Sequence, residues 1–293
     1  MPREMSGVTL IERSIHKRFR KELWTPFLHA LKRYELLKEG DRVAVCISGG
    51  KDSMLLAVLM RLLQRYSDFP FELVFLVMDP GYSRENRARI EENAARLCLP
   101  LDIFETDIFT VADGTDRNPC YLCARMRRGN LYARARELGC NKIALGHHLN
   151  DVIETTVMAM LYGSQLQGML PRLPSDHFPG MELIRPLYCI LERDIVAWAR
   201  YNGLSFLQCA CKMTERGKKD EDASKRRAVK QMIEGLRRTE PDIERRIFAA
   251  VHTVNIQTFP GFKENGQEHS FLEGYEEMAR RKWGPGGDGP AAE

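Results

Sequence analysis

No stretch of this 293-residue chain stays apolar for the roughly 20 residues that a membrane-spanning helix needs. The opening segment, MPREMSGVTLIERSIHKRFRK, has no uninterrupted apolar core, so a secretory signal peptide is not expected. No internal repeat recurs along the chain, which argues against a solenoid. Net charge is low, only +4, so no overall excess of one sign marks the chain as a polyelectrolyte binder. What remains is an ordinary balance of 44% hydrophobic and 29% charged residues, that of a globular protein expected in the cytoplasm.

The charge is unevenly placed. Residues 121–136 hold Arg125, Arg127, Arg128, Arg134 and Arg136 with no acid among them, and 211–230 hold eight Lys or Arg against four acids. Local positive patches of this kind can hold phosphates, although solvated helix faces produce similar runs. Of the eight cysteines, Cys46, Cys98, Cys140 and Cys189 stand singly in apolar or mixed segments and read as small core residues. Cys120/Cys123 and Cys209/Cys211 are paired as C-x-x-C and C-x-C. In a cytosolic chain such pairs point to metal or redox chemistry before disulfides.

Residues 8–38 show helical periodicity, giving a helical lead-in that ends near Gly40. Short apolar runs then alternate with amphipathic stretches. Strands are expected at 42–47, 71–78, 101–104, 142–145 and 183–186, with helices at 52–65, 83–97, 121–138, 151–162 and 192–201. This alternation predicts an α/β fold, a doubly wound parallel sheet covered by helices on both faces, with helical N- and C-terminal appendages. Ligands of such sheets bind at the carboxyl ends of the strands. A further short strand is read at Phe206-Leu207-Gln208, two charged helices at 221–238 and 241–255, and a weakly structured tail from Gly261. The domain division that follows is 1–40, 41–212, 213–260 and 261–293.

Ser48-Gly49-Gly50-Lys51-Asp52-Ser53 stands where the first strand hands over to the first long helix. Two glycines permit a tight turn whose N–H groups face an anion, and the helix N-terminus favours phosphate. Lys51 adds a point charge, Ser48 and Ser53 add hydroxyls, and Asp52 can help hold magnesium. The loop is not G-x-x-x-x-G-K-[ST], which excludes a Walker A site. Met78-Asp79-Pro80-Gly81 ends the second strand, and Gly146-His147-His148-Leu149-Asn150-Asp151 ends the fourth, in the same layer. Asp151, at a helix start, suits a magnesium or substrate ligand and equally an N-cap. Thiolates at Cys120 and Cys123 supply two ligands to a metal, and a third must come from Cys209 or Cys211. Three would suit an iron–sulfur cluster with one open iron, and four a structural zinc or closed cluster.

SGGKDS resembles the PP-loop of the ATP pyrophosphatases, which cleave ATP between its α and β phosphates. With CYLCARMRRGNLY, KIALGHHLNDVIET, LYGSQLQGMLPRL and IRPL, over roughly residues 40–230, the chain resembles the tRNA 2-thiocytidine synthetase family. The resemblance implies a PP-loop α/β core, ATP and Mg2+, a [4Fe–4S] cluster on three cysteines, and thiolation of cytidine 32 of the tRNA anticodon loop. It implies a homodimer supplied by a sulfur donor such as a cysteine desulfurase. ATP would lie on Ser48, Gly49, Gly50, Lys51, Asp52, Ser53, Met78, Gly146 and His147, with Lys51, Asp52 and Asp151 catalytic. The cluster would sit on Cys120, Cys123 and Cys209 or Cys211, and tRNA on Arg125, Arg127 and Arg128. The family's GHHxDD reads GHHLND here, so Asn150 stands where an aspartate is expected. The rival readings are thiolation of another tRNA nucleoside, a PP-loop ligase or amidating enzyme without sulfur chemistry, and a metal-bearing RNA-binding module.

Overall fold

Arg42–Ile47 (β1) and Glu72–Asp79 (β2) are near-continuous apolar runs, the mark of strands covered on both faces. In the computed structural model they lie side by side at the centre of a six-stranded sheet, with Leu101–Glu105 (β3), Lys142–Ala144 (β4), Arg172–Pro174 (β5) and Glu182–Ile184 (β6). The structure describes residues 7–108, 119–207 and 221–283, the side chains of 119–125 and 221–223 excepted. The strand order is β3-β2-β1-β4-β6-β5, parallel throughout except for the edge strand β5. The chain runs outward from β1 to β3, then returns to the other side at β4. The switch point, where a doubly wound sheet opens a crevice, therefore lies between β1 and β4.

Alternate residues of β1 feed opposite layers, as the pleat requires. Val43, Val45 and Ile47 enter the larger core, while Ala44 and Cys46 enter a smaller one beneath Tyr132 and Ala135 of Pro119–Glu137 (α5). Lys51–Tyr66 (α3) is buried on every side from Met54 to Met60. Arg84–Arg96 (α4) begins on Ser83, whose hydroxyl accepts the Asn86 N–H. Leu149–Gly163 (α6), Glu192–Tyr201 (α7) and Glu221–Arg237 (α8) follow.

The helical lead-in consists of two helices, Gly7–Lys17 (α1) and Thr25–Arg33 (α2), joined by a π-helical turn at Arg20–Trp24. Pro26, which lacks an N–H, fits only the first turn of a helix. Ile11, Ile15, Phe19, Leu23 and Phe27 belong to the main core, so this segment is built into the sheet's helical layer. Glu12, also buried, pairs with Arg61 at 2.7 Å and Arg65 at 2.9 Å.

Contacts divide the chain into two compact units, 1–244 and 245–293, the boundary falling within Ile243–His252 (α9). The second unit carries structure where a weak tail was expected. Gly261–Glu264 (β7) and Gln267–Ser270 (β8) pair antiparallel, and Tyr275–Trp283 (α10) follows. Asn265 and Gly266, both at positive φ (50° and 84°), form the tight connection that an Asn-Gly pair favours. Residues 284–293, the end of that expected tail, lie outside the described residues.

Three further expectations are corrected. The fifth strand ends at Ile184, because Pro186 has no N–H to donate. Phe206 and Leu207 join no strand; Leu207 N–H instead donates to the Gly49 carbonyl at 3.2 Å, and Gln208 lies outside the described residues. Cys98 is exposed, not core, because it leaves α4 in the left-handed conformation (φ 52°). No helix among the described residues is long and apolar enough to cross a membrane.

Candidate active site

A cavity of about 400 Å³ opens at the carboxyl ends of β1 and β4. Ser48, Asp52, Ser53, Met78, Gly146, His147, Asp151, Arg127 and Arg128 line it, which unites most of the sequence-predicted ATP and tRNA residues. The loop between β1 and α3 is internally braced. Ser48 N–H donates to Ser53 Oγ at 3.1 Å, and Ser53 Oγ donates to the Gly50 carbonyl at 3.0 Å. Gly49 has φ +83°, and a Cβ there would stand 2.6 Å from Ile90 Cγ1. At Gly146 a Cβ would meet the backbone of Asp52 and Ser53 at 3.1 Å, so β4 approaches the start of α3 as closely as glycine allows.

Asp52 Oδ1 is buried with no hydrogen-bond partner among the described residues, and His148 Nε2 stands 3.8 Å from it. Asp52 Oδ2 faces Lys51 Nζ at 3.1 Å. Lys51 also reaches Glu192 Oε1 at 3.1 Å, and Lys230 of α8 holds the other oxygen of Glu192. Burial pushes the Glu192 carboxyl up, but the Lys230 hydrogen bond and the Lys51 charge outweigh it and bring the pKa down to about 2. Burial likewise opposes charge on Lys51, and Asp52 and Glu192 overcome it, so its pKa is raised.

The turn after β4 is fixed by a reciprocal cap. His148 N–H donates to Asp151 Oδ2 at 2.9 Å, and Asp151 N–H donates to His148 Nδ1 at 3.3 Å. His148 is thus the N-cap, and Asp151, the third residue of α6, closes the capping box while lining the cavity, where Arg226 of α8 approaches its Oδ1 at 3.5 Å and Glu154 at 3.4 Å. Burial brings the pKa of His147 down to about 4, and among the described residues its Nδ1 has no hydrogen-bond partner. A neutral imidazole at the wall is the consequence.

Asn150 does not line the cavity. Its Nδ2 donates to Glu244 Oε1 at 2.6 Å and its Oδ1 accepts the Glu192 N–H at 2.9 Å, while Glu244 is held by Arg193 at 2.7 Å. An amide, donor and acceptor at once, fits where an aspartate would face another carboxylate. The carboxylates that share the cavity are Asp52 and Asp151. One or two carboxylates plus substrate phosphates are the usual donors for Mg2+, and the orphaned Asp52 oxygen fits that set. Among the described residues no group of three or more His, Cys, Asp or Glu is arranged to hold a metal ion.

Cys120 and Cys123 belong to the first turn of α5, their side chains and that of Arg125 being outside the described residues, as Cys209 and Cys211 are altogether. Thiolates in this spacing are the donor chemistry of an iron–sulfur cluster. Sequence reasoning missed Glu192, Arg226 and Lys230. The basic run 211–230 marked the last two as a group, whereas nothing local marks Glu192.

A family model described as PP-loop domain matches residues 17–216. The tRNA-cytidine(32) 2-sulfurtransferase of Cellvibrio japonicus is 36% identical over 247 residues, 82% of this chain and 77% of that protein. The protein of the same name from Citrifermentans bemidjiense is 33% identical over 230 residues, 77% of this chain and 88% of that one. Among solved structures, the U34-tRNA thiolase NcsA from Methanococcus maripaludis with its [4Fe-4S] cluster superposes with a TM-score of 0.60. It is 22% identical, over 78% of this chain and 76% of that one, a likeness of fold.

Proposed function

Since this chain belongs to the PP-loop family and, with the relatives above, to the tRNA-cytidine(32) 2-sulfurtransferase family, we propose that it is an ATP-dependent tRNA thiolase acting on cytidine 32. One observation carries the reading. A single helix, α5, begins with Cys120-x-x-Cys123 and, within two turns, places Arg127 and Arg128 on the wall of the PP-loop cavity. That the helix lining the nucleotide cavity with two arginines is the one that begins with the C-x-x-C pair supports sulfur chemistry on an RNA substrate.

A pyrimidine C2 oxygen is a poor leaving group until it is adenylated. In the proposed reaction that oxygen attacks the α phosphorus of ATP and pyrophosphate departs. Sulfur then adds to C2, and the C2–O bond breaks to release AMP. The Gly49–Gly50 turn, the serine hydroxyls and the α3 N-terminus hold the departing pyrophosphate. Asp52 and Asp151 hold Mg2+. Lys51 exchanges Glu192 for a phosphate oxygen, while Lys230 keeps the Glu192 carboxylate compensated. His147, uncharged, leaves the positive field to the arginines. A [4Fe–4S] cluster, held by Cys120, Cys123 and Cys209 or Cys211, supplies when bound the place from which sulfur is handed on.

The partners of this reading are tRNA and a sulfur donor such as a cysteine desulfurase, and the setting is a cytoplasmic homodimer. The test is anaerobic incubation of the cluster-reconstituted protein with ATP, Mg2+, sulfide and tRNA. Thiolated cytidine with AMP and pyrophosphate supports the reading. Pyrophosphate release without any thionucleoside, with the cluster intact, would favour a PP-loop ligase.

A further inference from the structure

Arg185 follows β6 directly and is 7% exposed, yet its guanidinium forms no ion pair among the described residues. Its Nη1 donates to the Leu170 carbonyl, and its Nε is buried with no hydrogen-bond partner among the described residues. Leu145 N–H donates to the Ile184 carbonyl at 3.0 Å, which sets Arg185 at the same sheet edge as Gly146 and His147 of the cavity wall. The charge that weighs most on it is another guanidinium, that of Arg128 on the same wall. Burial, with Arg128 next, brings the Arg185 pKa down to about 10. The acid that acts on Arg185 is Asp151, already engaged by the His148 N–H and by Arg226. A buried cation beside a second cation is costly unless a further anion completes the arrangement.

The bond to Leu170 does not account for it. The segment before β5 is tied twice without that side chain, by Tyr188 Oη donating to the Met169 carbonyl at 2.6 Å and by Arg185 N–H donating to the Pro171 carbonyl at 2.9 Å. Nor is ATP the natural anion. The phosphate loop follows β1, and β6 lies two strands away with β4 between, a lateral offset of about 10 Å.

We propose that Arg185 and Arg128 together form a subsite for a phosphodiester of the RNA strand that carries the target nucleotide. This rests on the tRNA reading and deepens it. The PP-loop takes the phosphates of ATP, the arginine pair takes the backbone of the RNA, and the base to be adenylated lies between them.

The experiment measures tRNA affinity of the full-length, cluster-loaded protein against salt concentration, for the parent, Arg185→Gln, Arg185→Lys and Arg128→Gln. ATP affinity is titrated separately without RNA. Arg185→Gln should weaken tRNA binding about tenfold, the value of one charge-assisted hydrogen bond. It should also lower the slope of log K against log salt by about 0.7–0.9, one phosphate contact. Arg185→Lys should recover most of the slope, and Arg128→Gln should repeat the loss. ATP affinity should move by less than about twofold. Should Arg185→Gln fail to fold, Arg128→Gln carries the test. Unchanged affinity and slope in Arg185→Gln, or in Arg128→Gln where Arg185→Gln does not fold, would overturn the subsite. Lost ATP affinity with unchanged tRNA binding would assign the phosphate to the nucleotide and overturn it equally. A parent that binds no tRNA would instead sink the thiolase reading, and that is known before any variant is made.

Discussion

Replacing Asn150 by aspartate, the residue its relatives' motif leads one to expect, should destabilise this protein. Asn150 is 9% exposed and Glu244 4% exposed, with Nδ2 and Oε1 2.6 Å apart. Asn150→Asp turns a charge-assisted hydrogen bond into two buried carboxylates in contact. At an effective dielectric near 20, unit charges about 4 Å apart repel by roughly 4 kcal/mol, of which Arg193 takes back part. The lost bond adds about 1.5–3 kcal/mol. The pair can escape by binding one proton, which restores a donor between the oxygens, and this caps the cost. Holding a proton at pH 7 on a carboxyl of ordinary pKa near 3.9 costs about 4 kcal/mol, and at pH 5 only about 1.5 kcal/mol. The folded state then has the raised carboxyl pKa, so it binds more protons than the unfolded chain, and stability falls as pH rises above about 4. Thermal unfolding at pH 5 and pH 7 is the assay. The variant should melt several degrees below the parent at pH 7 and close to it at pH 5, and adding Glu244→Gln should restore most of the loss. A variant as stable as the parent at pH 7, or one worse at pH 5, would refute the reasoning.

Gly49→Ala must tolerate φ +83° and push Ile90 aside, so its ATP affinity should fall at least about tenfold in a binding titration, with the sheet intact by circular dichroism. His147 should titrate near pH 4 by NMR, because burial disfavours its cation, and a midpoint near 6.5 would contradict its placement. The lowered pKa of Glu192 stabilises the fold fully above its ordinary value near 4.5, and this is lost as pH falls toward 2. The melting difference between the parent and Glu192→Gln should therefore shrink below about pH 4.5; a difference constant with pH would remove the Lys51–Glu192–Lys230 linkage.

The order of strands and helices could be read because buried parallel strands are short apolar runs, and VAVCI followed by SGGKDS marks both a strand end and a phosphate loop. Most residues of the candidate site were legible for the same reason, since topology alone brings the ends of β1, β2 and β4 together. Glu192, Arg185 and Arg226 were not, because their meaning depends on partners 38 or more residues away or on the lack of one. Asn150 misled by position: its side chain serves the α9 start, not the cavity. The Asn265-Gly266 hairpin carried a local signal in plain view, obscured by the charged residues around it. β5 carried almost none, being three residues at an edge and ending on Pro174.

The central claim, that this chain thiolates cytidine 32 of tRNA, is tested most directly by a nucleoside mass profile of tRNA from cells lacking the protein. The account predicts that 2-thiocytidine disappears while other thionucleosides persist, and that the parent gene restores it where Cys120→Ala does not. Undiminished 2-thiocytidine in those cells would contradict it.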